Sequence, residues 1–403
     1  MTRTFDLRTG RPVWMAYRAP SVPCTRLRRD ARTDVLVVGM GISGAMVAES
    51  LTAAGFRVIL LDRRGPLRGS TPASTALVQY EIDVPLTRLT RTLGRGRSEQ
   101  AWRRSRLAVA NLSARIDELG ISCGKVDRSS LLLAGNDLGA GGLRAETEAR
   151  RAAGLYAEYL TRARLQERFG IARAGAILSP GNLALDPRKL TAGLLLCAVE
   201  RGARCHAPTK ATVIDAGRDR VTVATADGPV ISAAHVILAT GYELTELVPT
   251  KAHAVISTWA IATRAQPRAL WPEEALIWES SDPYLYLRTT SDGRIICGGE
   301  DEEFEDEDAR DALIPAKTAR LTAKLARLFP SVDPRPEFAW TGAFGTTRTG
   351  LPLIGKLPGD PRVHAVMGYG GNGITFSRVA AEIVRADLTG ATDADAALFA
   401  FEA

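Results

Sequence analysis

The sequence predicts an α/β fold in which a Rossmann-type nucleotide-binding domain is interleaved with an α+β domain on a mainly antiparallel sheet. Three observations carry this. Residues 34–62 read as strand, glycine-rich turn, helix and second strand. A strand, a glycine-rich turn and a helix recur at 363–388. Between them runs a series of short strands from 254 to 299, so βα alternation at both ends brackets a strand-rich middle.

The elements follow in order. Residues 1–30 read as a polar, proline-bearing arm. Residues 98–118 and 143–169 have apolar side chains spaced three and four apart, which predicts helices. A helix over 186–202 precedes strands at 211–214, 220–225 and 235–240, and short strands follow at 254–263, 276–279, 284–288 and 294–299. Residues 312–328 predict an amphipathic helix ending before Pro330, and the last helix, about 373–388, stops at Gly390. The expected division assigns 31–95, 182–247 and 336–403 to the nucleotide domain, and 96–181 and 248–335 to a substrate domain.

A chain of 403 residues, 45% hydrophobic, can fill such a two-part core. No apolar run approaches the roughly 20 residues that span a bilayer, and the N-terminus lacks a secretory h-region. Five cysteines, at 24, 123, 197, 205 and 297, form no C-x-x-C pair, which fits reduced thiols in the cytoplasm. Cys205 and His206 are adjacent, not at metal-ligand spacing, so no metal site is expected. Net charge is +7, with seven arginines before residue 31 and an acidic run from Glu300 to Asp308. No nucleic-acid motif accompanies this charge, so a solvated basic surface is expected and no nucleic-acid partner.

The strongest motif is Gly39-Met-Gly41-Ile42-Ser43-Gly44. It leaves one strand, opens a helix and is followed by a second strand ending at Asp62, 18 residues after Gly44. In that context Gly39 permits the tight turn, Gly41 lets backbone approach a pyrophosphate, and Gly44 lets helix and strand pack closely. The N–H groups of Ile42 and Ser43 at the helix start suit phosphate. Asp62 is positioned for a ribose hydroxyl, and Arg63-Arg64 beside it would tolerate a further phosphate.

Three other segments favour a flavin over a nicotinamide. The hydroxyl-rich stretch from Gly69 to Asp83 contains Ser70, Thr71, Ser74, Thr75 and Ala76. A buried strand ends in Ala239-Thr240-Gly241. Gly368-Tyr-Gly-Gly371-Asn372-Gly373 opens the last helix, whose N-terminus would stabilise the negative charge of a reduced flavin.

Taken together, the glycine unit, the GST-x-x-STAL loop, Asp186-Pro-x-Lys-Leu, the ATG turn and GLPLIG…GYGGNGITFS resemble the D-amino acid oxidase family of FAD oxidoreductases. Within that family the chain looks closest to the γ-glutamylputrescine oxidoreductase-like branch. The resemblance implies an FAD enzyme that oxidises a small amine or amino acid at the C–N bond, by hydride transfer to flavin N5 and hydrolysis of the imine. It implies that Gly39, Gly41 and Gly44 cradle the pyrophosphate and that Asp62, usually glutamate in the family, holds the ribose. Ser70, Thr71, Ser74 and Thr75 would line the pyrophosphate and flavin, and Val213 would meet adenine through backbone. Ala239 to Gly241 would flank the nucleotide, and Gly371, Asn372, Gly373, Ile374 and Thr375 would face the pyrimidine. The segment around Gly345, GAFGTTRTG, lacks the cysteine to which some members tether flavin, so FAD is expected to be non-covalent. An oxygen-activating lysine would fall near Ile296 and a substrate-carboxylate lysine at Thr375. Neither is present, so the electron acceptor is left open between oxygen and another. The alternative reading is an FAD-binding subunit or a dehydrogenase passing electrons to a partner or quinone.

On the substrate side, strand alternation puts Tyr284, Tyr286 and Arg288 on one face, where two phenols and a guanidinium would bind a carboxylate and pack a carbon chain. Tyr80 and Glu81 follow the flavin loop and would reach the reactive face. Trp259 and Trp340 are expected to pack.

Overall fold

A computed structural model of the chain describes residues 6–243, 247–248 and 253–401. Residues 1–5 of the expected arm, 244–246 and 249–252 at the expected domain junction, and the last two residues lie outside the described residues.

The predicted α/β architecture is present as two sheets. The first has the parallel order Asp360–Met367, Val230–Leu238, Ala31–Val38, Val58–Leu61, Arg204–His206, with Leu353–Leu357 antiparallel at its edge. Its central strands are buried on both faces, which explains their unbroken apolar runs. Helices Ile42–Ala53, Pro187–Glu200 and Gly373–Leu388 pack together beside it, with Ser43 Oγ and Ser377 Oγ 2.8 Å apart. Pro187–Glu200 starts where Asp186 accepts the N–H groups of Arg188 and Lys189.

The second sheet runs Arg8–Gly10, Pro336–Thr347, His253–Thr263, Ile295–Glu302, Leu285–Thr289, Leu276–Glu279, Val126–Leu133, Gly175–Ala184, Leu77–Val78. It is antiparallel except where Leu276–Glu279 meets Val126–Leu133. Helix Ile314–Leu328 covers one face through Leu321, Leu325 and Leu328.

Three expectations need correction. The arm is not a free polar segment: Arg8–Gly10 adds an edge strand, and Leu7, Val13 and Trp14 are buried. The helix expected over 143–169 is two, Ala140–Ala152 and Arg162–Phe169, separated by the strand Glu158–Thr161, which pairs with Gly175–Ala184. The sheets also divide the chain differently from the expected boundaries. Pro336–Thr347 belongs to the large antiparallel sheet, and the boundary at 181/182 falls inside Gly175–Ala184.

Candidate functional site

A cavity of about 520 Å³ runs from the carboxyl ends of the parallel strands to the face of the antiparallel sheet. At its first end Gly39 leaves the strand Ala31–Val38 with φ 118°, and a Cβ there would overlap the Ala239 carbonyl oxygen. The glycine loop and the Ala239–Gly241 turn therefore touch, as only glycine allows. Gly44 stands behind the wall, where a Cβ would overlap the Gly39 carbonyl oxygen, so its role is helix–loop packing. Gly41 caps helix Ile42–Ala53, and the Ile42 N–H donates to Thr71 Oγ1 at 3.1 Å.

Asp62 lines this end but is already engaged. Its Oδ2 accepts the Met40 N–H at 2.9 Å, and its Oδ1 accepts those of Arg64 and Gly65 at 2.7 and 2.8 Å. The side chain, shorter than glutamate, braces the glycine loop from below. Arg63 and Arg64 also line the cavity, and both pair with Glu243, Arg64 through bonds of 2.7 and 2.8 Å. Each guanidinium thus faces a buried carboxylate, which makes a poor pocket for an extra phosphate.

Ser70, Thr71, Ser74, Thr75 and Ala76 form the middle of the wall, opposite Gly371, Asn372, Gly373 and Ile374. Two buried polar atoms here, Ser70 Oγ and Gln79 Nε2, have no hydrogen-bond partner among the described residues. A buried hydroxyl and amide left unpaired on a wall are satisfied by a polar ligand, and with the glycine loop they fit a long dinucleotide. No cysteine is among the described lining residues.

The far end is aromatic. Tyr284 and Tyr286 lie with ring centroids 5.4 Å apart, and Tyr286 Oη is 3.3 Å from Thr258 Oγ1. Trp278 and Phe344, from other strands of the same sheet, complete this end with Asp83 from the flavin-loop side. Burial raises both tyrosine phenols, Tyr284 further under the charges of Asp301 and Asp83.

Most expected residues share this wall, including Val213, Thr240 and Gly241. The expectation for Arg288 is overturned. It shares the strand face of Tyr286, but its guanidinium is buried against Trp14 and donates to the carbonyls of Ala76, Leu185 and Thr289 at 2.7, 2.9 and 3.0 Å. Tyr80 and Glu81 also leave the cavity. The Tyr80 hydroxyl donates to Tyr156 O at 3.3 Å, and Glu81 bonds Ser130. Burial raises the Glu81 carboxyl against the opposing charge of Arg150. Thr375 donates to Gln79 O at 2.7 Å, and Gly345 faces His253. Trp259 and Trp340 donate to the carbonyls of Arg310 and Ala73, as packing residues do.

The sequence reading passed over Asp83, Gln79, Tyr242, Thr258, Trp278, Phe344, Tyr369 and Leu7, all on the wall. Asp83 closes the hydroxyl-rich segment, Tyr242 follows the ATG turn and Tyr369 sits inside GYGGNG, so motif adjacency was the available signal. Thr258, Trp278 and Phe344 carried none, because only sheet pairing brings them there.

Comparison with known proteins agrees with this geometry. A family profile described as DAO, FAD dependent oxidoreductase, matches residues 34–386. The tRNA 5-methylaminomethyl-2-thiouridine biosynthesis bifunctional protein of Cupriavidus necator is 26% identical, covering 94% of this chain and 60% of that protein. The chain thus spans about three fifths of that relative's length. Gamma-glutamylputrescine oxidoreductase of Escherichia coli is 25% identical, covering 91% of this chain and 86% of that protein. In structure, the chain resembles glycine oxidase from Geobacillus kaustophilus with a TM-score of 0.76 at 21% identity, covering 92% of this chain and 99% of that one.

Proposed function

The chain belongs to the DAO family of FAD-dependent oxidoreductases, and from that premise we propose that it oxidises a small amine at the carbon next to nitrogen. The carrying observation is one cavity whose lining joins the glycine loop to the aromatic pair Tyr284 and Tyr286. Bound FAD supplies the two-electron acceptor for a hydride from the substrate carbon.

The chain's own residues do the rest. Gly39, Gly41 and the N–H groups opening helix Ile42–Ala53 hold the pyrophosphate, with Ser70 and Thr71 alongside. Val213 and Arg63–Arg64 flank the adenosine end. Gly373 and Ile374, at the start of the last helix, would face the flavin pyrimidine edge, where a helix N-terminus favours negative charge. Tyr284, Tyr286, Trp278 and Phe344 exclude water and orient the carbon chain. We expect FAD to be held without a covalent bond, a reading supported by the lack of cysteine among the described lining residues. The imine is released and hydrolysed in solution. We place the reaction in the cytoplasm, a reading supported by five free thiols; among the described residues no helix is long and apolar enough to cross a membrane.

A second reading concerns the electron acceptor. Ile296 is fully buried, and Lys210, at the adenosine end, is the one lysine among the described lining residues. This favours an acceptor other than oxygen. Product analysis tests both readings: turnover with an amine should release an aldehyde or ketone, and an electrode should show slow oxygen uptake that an artificial quinone outpaces. Amine turnover without a carbonyl product would refute the first reading; oxygen uptake as fast as quinone reduction would refute the second.

A further inference from the structure

The charges lining the cavity are sorted by end. Asp62, Arg63, Arg64, Lys210 and Glu243 gather at the adenosine end. Among the described lining residues, Asp83 is the one charged group at the aromatic end. Its side chain lines the cavity, and desolvation there raises its carboxyl above the ordinary value. Asp83 Oδ2 accepts the Gly371 N–H at 2.7 Å, so the side chain is held in place with Oδ1 left to the cavity.

Two further acceptor groups lie near it. Asn372 is 5% exposed and lines the same wall. Its Nδ2 donates to the carbonyls of Gln79 and Glu81 at 3.2 and 2.9 Å, which fixes the amide, and its Oδ1 is buried with no partner. Asp301 stands beside Tyr284 and Thr258, with both carboxylate oxygens buried and neither in a hydrogen bond of good geometry. Among the described lining residues no cation stands at this end, and acceptors collected in this way call for a donor that carries positive charge.

Building on the proposed amine oxidation, we propose that this end is a subsite for a second, protonated nitrogen, and that the substrate is a short aliphatic diamine without a free carboxylate. Asp83 and Asn372 hold the remote ammonium, and Asp301 adds negative potential from behind Tyr284. Tyr284, Tyr286 and Trp278 give aromatic walls that suit both a methylene chain and a cation. A substrate carboxylate would instead meet Asp83, with Arg288 committed to backbone carbonyls. In the reaction one terminal CH2–NH2 gives up a hydride, which carries both electrons, to FAD, and its nitrogen loses a proton to leave the imine. Water then replaces the imine nitrogen, leaving an amino-aldehyde and ammonium. The remote ammonium is unchanged throughout.

The test compares diaminobutane, aminobutane and aminobutanoate with the FAD-loaded enzyme under anaerobic conditions, by calorimetry and by flavin absorption together. The expected order is diaminobutane tightest, by roughly tenfold over aminobutane, with aminobutanoate weakest. Asp83→Asn keeps an acceptor for the Gly371 N–H and should bring the diamine and monoamine to within about twofold, which is the loss of a charged hydrogen bond. Its flavin content reports folding, and Asp301→Asn should lower the same preference to a smaller degree. Tighter binding of aminobutanoate, or equal binding of diamine and monoamine by the unaltered enzyme, overturns the subsite. If no compound bleaches the flavin, amine oxidation fails; the heat of diamine binding and its loss in Asp83→Asn still decide the subsite.

Discussion

The Arg288 guanidinium donates to the Ala76 carbonyl oxygen at 2.7 Å, and Ala76 holds a left-handed backbone, φ 56°, on the cavity wall. The same nitrogen reaches the Leu185 carbonyl at 2.9 Å. Burial lowers the Arg288 pKa to about 9, so it stays charged at neutral pH while serving as a clamp on backbone.

Arg288→Ala should therefore act on the cofactor wall rather than on substrate charge. It strands two buried carbonyls and removes a charged donor, a loss of about 3 kcal/mol. Thermal unfolding should show that loss, and the purified variant should carry less flavin. A variant with normal flavin content whose only defect is a raised KM for carboxylate substrates would restore the carboxylate role.

Asp62 accepts three backbone N–H groups, that of Met40 in the glycine loop and those of Arg64 and Gly65 in the turn that follows it. Asp62→Ala frees all three, and FAD affinity should fall at least about tenfold, the value of one to two such charge-assisted bonds. Fluorescence titration of the apoprotein with FAD measures it; unchanged affinity would show that the loop keeps its shape alone.

At Gly44 the next atom is the Gly39 carbonyl oxygen. Gly44→Ala should push helix Ile42–Ala53 away from the loop and cost on the order of 2 kcal/mol, as overpacking does. Loss of flavin should accompany the lower unfolding temperature, whereas a stable, yellow variant would mean the helix shifts without consequence.

Asp301 predicts a pH dependence. Burial, with the charge of Asp83 added, pushes its carboxyl from the ordinary 3.8 to about 7, against the opposing charge of Lys317 and the nearby hydroxyls of Thr258 and Tyr284. The folded protein binds this proton more tightly than the unfolded chain. Its stabilising contribution is thus full below the unfolded value and is lost as pH rises through about 7. Asp301→Asn should match the unaltered protein near pH 4 and exceed it above pH 8 by on the order of 2 kcal/mol. Unfolding curves that differ equally at both pH values would contradict the shift.

The parallel sheet and the adenosine end were legible because each residue there answers a local demand. Gly39 and Gly44 are read from a tight turn and a close helix, and Asp62 from its place at a strand end. The far end depends on contacts across the sheet. Alternation did put Tyr286 and Arg288 on one face, but the cover over Arg288 comes from Trp14, Ala76 and Leu185, distant in sequence. Trp14 was hidden in an arm whose arginines made it look solvated. The strand Glu158–Thr161 was hidden in the same way, since its partner Gly175–Ala184 is non-local and its own residues follow a helical spacing.

The central claim is that this cavity carries FAD and passes electrons to it from an amine. Anaerobic titration of the FAD-loaded protein with a panel of amines and amino acids, followed by flavin absorption, tests it most directly. Bleaching by an amine, with a sharply weaker response when Tyr286 is replaced by alanine, is the predicted result. A fully loaded yellow protein that no amine bleaches, whether or not an amino acid does, would contradict it.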